Sequence, residues 1–182
     1  MTITRIKLDK FTSFDNLDFE PSPGVNVLVG ANGTGKTHLM KVAYAACDIT
    51  KTKQNFAEKL VSVFLPSQRA IGRLVKRQGK SAKTKIEVFQ EGRTLSLSFS
   101  NHAREWSTDA VKTTGLDAWR GTSIESVFIP VKEMLANGPG FRSLYTRREI
   151  HFESIYADIL DRAYLPVLKG PHDNHRKSLL TT

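Results

Sequence analysis

One cysteine, Cys47, in a chain of 182 residues leaves no internal disulfide framework to expect. No apolar run reaches the 18 or so residues that a membrane-spanning helix needs. The opening stretch Met1-Thr2-Ile3-Thr4-Arg5-Ile6-Lys7 alternates polar and apolar residues and has no secretory hydrophobic region. These absences predict a cytoplasmic protein with no membrane partner. His102, His151, His172 and His175 stand without ligand partners at metal-site spacing, so no structural metal cluster is expected. Acidic residues are also scarce, with 18 Asp and Glu against 27 Lys and Arg, for a net charge of +9.

That charge is concentrated. Residues 69–93 carry eight cations (Arg69, Arg73, Lys76, Arg77, Lys80, Lys83, Lys85 and Arg93) and two anions (Glu87 and Glu91), a local net charge of +6. Residues 1–68 contribute +2 and residues 94–182 contribute +1, which completes the +9. A block of this kind can track a polyanion such as DNA. It can equally be the solvated face of a hairpin or meet a partner protein.

What the chain does contain is Gly30-Ala31-Asn32-Gly33-Thr34-Gly35-Lys36-Thr37, a full G-x-x-x-x-G-K-[ST] phosphate-binding (Walker A) loop. Chance gives this pattern in roughly one chain of this length in 200, so the flanks decide. Val25-Asn26-Val27-Leu28-Val29 before it reads as a short buried parallel strand. Thr37 to Ala46 after it reads as a helix without a breaker. A loop closing onto a helix N-terminus turns backbone N–H groups toward phosphate oxygens. Gly30, Gly33 and Gly35 permit positive φ there. Lys36 supplies a point charge for the β- and γ-phosphates and is the candidate catalytic group. The Thr37 hydroxyl is the candidate Mg²⁺ ligand. The expected nucleotide-binding set is Gly30, Ala31, Asn32, Gly33, Thr34, Gly35, Lys36, Thr37 and His38, with ATP and Mg²⁺ as cofactors.

Elsewhere the pattern alternates strand and helix. Ile3, Ile6 and Leu8 mark one strand, and Leu17 and Phe19 a second. Asn55 to Leu65 reads as a helix stopped by Pro66. Gly79 to Lys83 reads as a mobile basic connection. Lys83–Phe89 and Arg93–Ser100 alternate about Gln90-Glu91-Gly92, which predicts a β-hairpin. Ser126-Val127-Phe128-Ile129-Pro130 reads as a short buried strand, Gly138-Pro139-Gly140 as a sharp turn or loop, and Ile150 to Leu165 as an amphipathic helix. Cys47, Trp106 and Trp119 read as packed residues, and Arg142, Arg147 and Arg148 as partners of nearby Glu149 and Glu153.

Two stretches together carry a family resemblance. They are Ile3-Thr4-Arg5-Ile6-Lys7-Leu8-Asp9-Lys10-Phe11-Thr12-Ser13-Phe14 and, after a Pro/Gly turn, Val25 through Thr37. This opening resembles the N-terminal lobe of ABC-type ATPase heads, the RecF/SMC/SbcC-like AAA ATPases of DNA repair, chromosome maintenance and mobile-element defence. The resemblance covers residues 1–46 closely and the remainder loosely. It implies an α/β P-loop NTPase fold, with an ABC-ATPase-head-like mixed sheet, an antiparallel β portion and flanking helices. Thr12 stands where the family usually has arginine, and Lys10 is the nearest cation that can substitute.

The resemblance also exposes what is missing. The family hydrolyses ATP with an apolar strand ending in Asp-Glu and with a signature loop from an opposing subunit. Neither motif occurs here; Ile159-Leu160-Asp161 sits in a helical pattern. The expectation is one N-terminal lobe over residues 1–182, with the C-terminal catalytic lobe absent. Within it, residues 1–50 hold the strands, loop and helix, residues 51–125 a helical and basic hairpin insertion, and residues 126–182 a strand plus helices. Such a fragment binds ATP, turns it over poorly alone, and self-associates or takes a partner protein. Should a catalytic carboxylate exist, Glu125 and Glu133 are the first candidates. A small-molecule P-loop kinase and a non-catalytic nucleotide-binding module are the rival readings.

Overall fold

A computed structural model describes residues 2–77, 79, 81–131, 138–147 and 152–163. Alternation of apolar and polar residues decides the sheet. In β1 (Ile3–Phe11), Ile6, Leu8 and Phe11 are buried while Thr4 and Asp9 face out. β2 (Phe14–Phe19) returns antiparallel to β1. The hairpin of β3 (Lys83–Gln90) and β4 (Arg93–Ser100) turns at Glu91-Gly92, where Gly92 takes φ 69°. Ile86 and Val88 of β3, with Leu95, Leu97 and Phe99 of β4, are buried on one face. The hairpin does not stand apart: β3 pairs along the length of β1, and a short β5 (Lys112–Thr114) closes the far edge. The order is β2-β1-β3-β4-β5, antiparallel throughout, so the protein is an α/β fold with flanking helices.

Helices cover the apolar face. α1 (Lys36–Thr52) buries Leu39, Val42, Ala45, Ala46 and Ile49. It runs six residues past the expected end at Ala46. α2 (Phe56–Phe64) packs beside it and is capped by the Asn55 side chain, which accepts from Ala57 N–H at 2.8 Å. α3 (Leu116–Arg120) brings Trp119 fully inside, its indole N–H donating to the Ala46 carbonyl oxygen at 2.7 Å. Trp106 is a partly buried packing residue. Cys47 is buried, and burial pushes its thiol up to about 12. α4 (Gly138–Thr146) and α5 (Ser154–Ala163) complete the described chain. Buried ions dock α5: Lys59 Nζ lies 2.7 Å from Asp48 and 2.9 Å from Asp158, and Tyr44 donates to Asp158 at 2.7 Å.

Four expectations change. Val25–Val29 is not a buried strand: Val25, Val27 and Val29 are 88%, 77% and 89% exposed, and only Leu28 touches the core. The Asn26 side chain instead bonds back to Ser22. A strand persists only where a neighbour satisfies its backbone groups, and among the described residues none pairs with this run. Ser126–Pro130 differs for the same reason. Ile124 and Phe128 turn inward, but Val127 and Ile129 are exposed, and no ladder forms with any described residue. Gly138-Pro139-Gly140 opens α4 rather than forming a turn; proline suits a first helical turn, where no N–H is needed. α5 begins at Ser154, four residues later than expected. The expected ends at Ile150 and Leu165 lie outside the described residues.

Candidate functional site

The Gly30–Thr37 loop sits between the exposed valine run and the N-terminus of α1. Gly33 and Gly35 take φ 81° and 98°, the left-handed region that glycine alone adopts freely. Gly30, at φ 159°, is close to extended. Thr34 closes the turn by donating to the Ala31 carbonyl oxygen at 2.9 Å. Lys36 folds over the loop, its ammonium donating to the carbonyl oxygens of Gly30 at 2.6 Å and Ala31 at 2.7 Å. Thr37 is exposed beside it.

α1 opens without any side-chain cap and without an acidic residue in its first turn. Its first backbone N–H groups are therefore left for an outside acceptor, at the positive end of the helix dipole. A cation over the loop, uncapped amides and left-handed glycines fit a polyphosphate. Thr37 fits a Mg²⁺ ligand on that phosphate. Among the described residues no other cluster of His, Cys, Asp or Glu can hold a metal.

Next to the helix start lies an open cavity of about 670 Å³. Thr12, Ser13, His38, Phe64, Pro66, Ser67 and the run Arg73–Arg77 line it. Thr12 Oγ1, Ser13 Oγ and His38 Nδ1 are buried there with no hydrogen-bond partner in the protein. Buried polar groups are rarely left so, and three on one cavity mark a place for a polar ligand. Burial, then the charge of Lys41, hold His38 below its ordinary pKa, with Glu153 opposing. The imidazole is thus neutral near pH 7, its ring 5.5 Å from that of Phe64. Lys41 itself bonds Glu153 at 2.5 Å.

Of the residues singled out in sequence, Gly30 through His38 are contiguous at this site. Lys10 is not among the residues lining the cavity; its carbonyl oxygen accepts from Lys76 N–H, and Thr12 and Ser13 face the space instead. Glu125 pairs with Lys51 near the far end of α1 and with Arg162 at 3.6 Å. Fifteen residues of helix separate Lys36 from Lys51, about 22 Å, so Glu125 is remote from the loop. Asp161 pairs with Arg142 at 3.1 Å. Glu133, Arg148, Glu149, His151, His172 and His175 lie outside the described residues. No local signal shows that the β1–β2 turn and Arg73–Arg77 meet at the cavity beside the helix start, since more than 30 residues separate Arg73 from His38.

The family model for the AAA domain matches residues 5–117. The chain is similar to the DNA replication and repair protein RecF of Citrifermentans bemidjiense, 26% identical over 153 residues, 82% of this chain and 38% of that protein. It is similar to RecF of Listeria welshimeri, 28% identical over 152 residues with 82% and 38% coverage. RecF of Streptococcus uberis is 25% identical over 138 residues, 76% of this chain and 35% of that protein. The chain spans little more than a third of the length of these relatives.

Proposed function

The chain belongs to the AAA domain family, and from that premise we propose that it is the ATP-binding N-terminal lobe of a RecF-like ATPase acting on DNA in the cytoplasm. The observation that carries this reading is the Lys36 ammonium, held at 2.6 Å and 2.7 Å on two loop carbonyls above an uncapped helix start. A triphosphate exchanges those carbonyls for phosphate oxygens with stronger charge. Gly33 and Gly35 let the backbone amides approach, and Thr37 offers its hydroxyl to the bound Mg²⁺. That ion neutralises charge on the β- and γ-oxygens. The cavity beside the loop receives the nucleoside end, where Thr12, Ser13 and neutral His38 gain the partners they lack. Its volume falls within the range of small-ligand sites.

Hydrolysis also needs a water-orienting carboxylate and a charge-stabilising group beside the γ-phosphate. We take both to come from the rest of such an ATPase. The same neighbour, or a second copy, covers the bare valine run.

The test is Mg-ATP binding by calorimetry to the wild type and to Lys36→Ala. The variant is expected to bind at least tenfold more weakly, about 1.4 kcal/mol, while keeping its fold by circular dichroism. Equal binding would remove the loop as the site.

A further inference from the structure

The basic block does not act as one surface, and the structure divides it. Residues Pro66 to Arg77 form an arch built from two single turns of 3₁₀ helix, Ser67–Arg69 and Ile71–Leu74. Leu65, Gln68 and Arg69 hold left-handed φ values of 45°, 59° and 55°. Across from them, Lys10 and Thr12 in the β1–β2 turn hold 48° and 50°. Non-glycine residues adopt this region at a cost, and such strain collects where a surface must keep one shape.

The arch is clamped on both sides. Thr12 N–H donates to Leu74 O and Lys76 N–H to Lys10 O, both at 2.8 Å. Gly72 N–H donates to Ala103 O at 2.9 Å. A Cβ at Gly72 would lie 2.6 Å from Asn101 O and 2.7 Å from Ala103 O, so only glycine lets the arch meet the corner that follows β4.

Between arch and corner run two adjoining open cavities of about 430 Å³ and 510 Å³. Arg73, Asn101 and His102 line both; Arg77 stands at one end and Arg104 at the other. Arg73, Arg77 and Arg104 are exposed, and among the described residues none has a carboxylate within ion-pair distance. Lys76, by contrast, is paired with Asp15 at 2.6 Å. Glu105 is the acidic residue on the rim. Across the sheet, Lys85 of the hairpin is paired with Glu87 at 2.8 Å.

We propose that this groove between the arch and the post-β4 corner, rather than the β3–β4 hairpin, receives the sugar–phosphate backbone of duplex DNA. Three guanidinium forks with no carboxylate partner among the described residues, strung along a groove, suit successive phosphates better than one isolated anion. Among the described residues the lining holds no Phe, Tyr or Trp, and the small imidazole of His102 is the one ring on it, a poor stacking platform for a run of unpaired bases. It also holds no large apolar pocket to anchor a peptide. Contacts confined to phosphates predict binding that is indifferent to sequence. Arg73 through Arg77 also wall the cavity that we assign to the nucleoside, so a bound backbone would lie beside it. This inference rests on the DNA-associated reading above.

The test is fluorescence anisotropy of a short labelled DNA duplex over a salt series. It compares the wild type, the double variant Arg77→Ala/Arg104→Ala and the hairpin double variant Lys83→Ala/Arg93→Ala. Wild-type affinity should fall linearly on logarithmic axes. The groove variant should lose about 2 from that slope, about 1 for each phosphate contact removed, equally for unrelated sequences. The hairpin variant should match the wild type. Loss of binding in the hairpin variant with the groove variant unaffected would overturn the proposal. No duplex binding at about 50 mM salt, with Mg-ATP still bound, would overturn the groove and leave the ATP site standing. A poly-glutamate peptide that binds more tightly than the duplex, through Arg77 and Arg104, would also overturn it.

Discussion

A Cβ placed on Gly35 would fall 2.2 Å from Ser13 Oγ, so the β1–β2 turn and the Gly30–Thr37 loop are in direct contact. The Phe14 ring crowds the same point at 2.5 Å. The loop's shape is thus set from outside as well as by its own glycines.

Gly35→Ala should therefore do more than impose a left-handed alanine, itself worth about 1–2 kcal/mol. It should push the loop off the turn and weaken Mg-ATP binding at least tenfold by calorimetry, about 1.4 kcal/mol. Introduced into Ser13→Gly, the same substitution should cost less than it does in the wild type, because one overlap is gone and only the backbone strain and the Phe14 overlap remain. The Ser13→Gly single variant sets the reference for that side chain's own part in binding. An equal cost in both backgrounds would mean that the Ser13 overlap does not govern the position.

Lys59 is 2% exposed between Asp48 and Asp158. Lys59→Ala leaves both carboxylates facing an empty buried position and should cost about 3–5 kcal/mol in urea unfolding. Arg142→Ala breaks an exposed pair with Asp161 and should stay within about 1 kcal/mol. Similar losses from the two would show that the Lys59 cluster is not the staple that docks α5.

His38 carries a pH signature. Burial holds its folded pKa below the free value near 6.5. The unfolded chain then takes up the proton first as pH falls. The stability contributed by neutral His38 is complete above about pH 6.5 and is lost as pH drops through the depressed folded value. In His38→Gln, the fall in melting temperature from about pH 7.5 to about pH 5.5 should be smaller than in the wild type. An identical fall in both would rule out this titration.

Val25, Val27 and Val29 expose an apolar edge, and such edges promote association. Replacing all three with threonine should reduce self-association in sedimentation experiments. Stability should change by no more than about 0.5 kcal/mol per site, as for exposed positions generally. Unchanged association would place the contact elsewhere.

Steady ATP turnover by the lobe alone should fall well below about 1 s⁻¹, the low end for enzymes. Each missing orienting or charge-stabilising group is worth about 10³-fold or more. Turnover near 1 s⁻¹ that Lys36→Ala abolishes would mean a carboxylate reaches the loop after all. Glu125, tied to the far end of α1, would not be the one.

Local pattern carried the elements whose partners are neighbours in the chain. The alternation in β1, β3 and β4, the helical spacing of α2 before Pro66 and the loop Gly30–Thr37 were legible because period, a proline stop and glycine spacing act over a few residues. Residues 25–29 and 126–130 have strand composition, but a strand also requires a neighbouring backbone, and composition cannot supply one. Tertiary structure decided that β3 pairs with β1, that Ser13 and Phe14 press on Gly35, and that Gly72 lets the arch carrying Arg73 and Arg77 meet the corner carrying Arg104. Those contacts join residues tens of positions apart, and only chain folding brings their atoms within range.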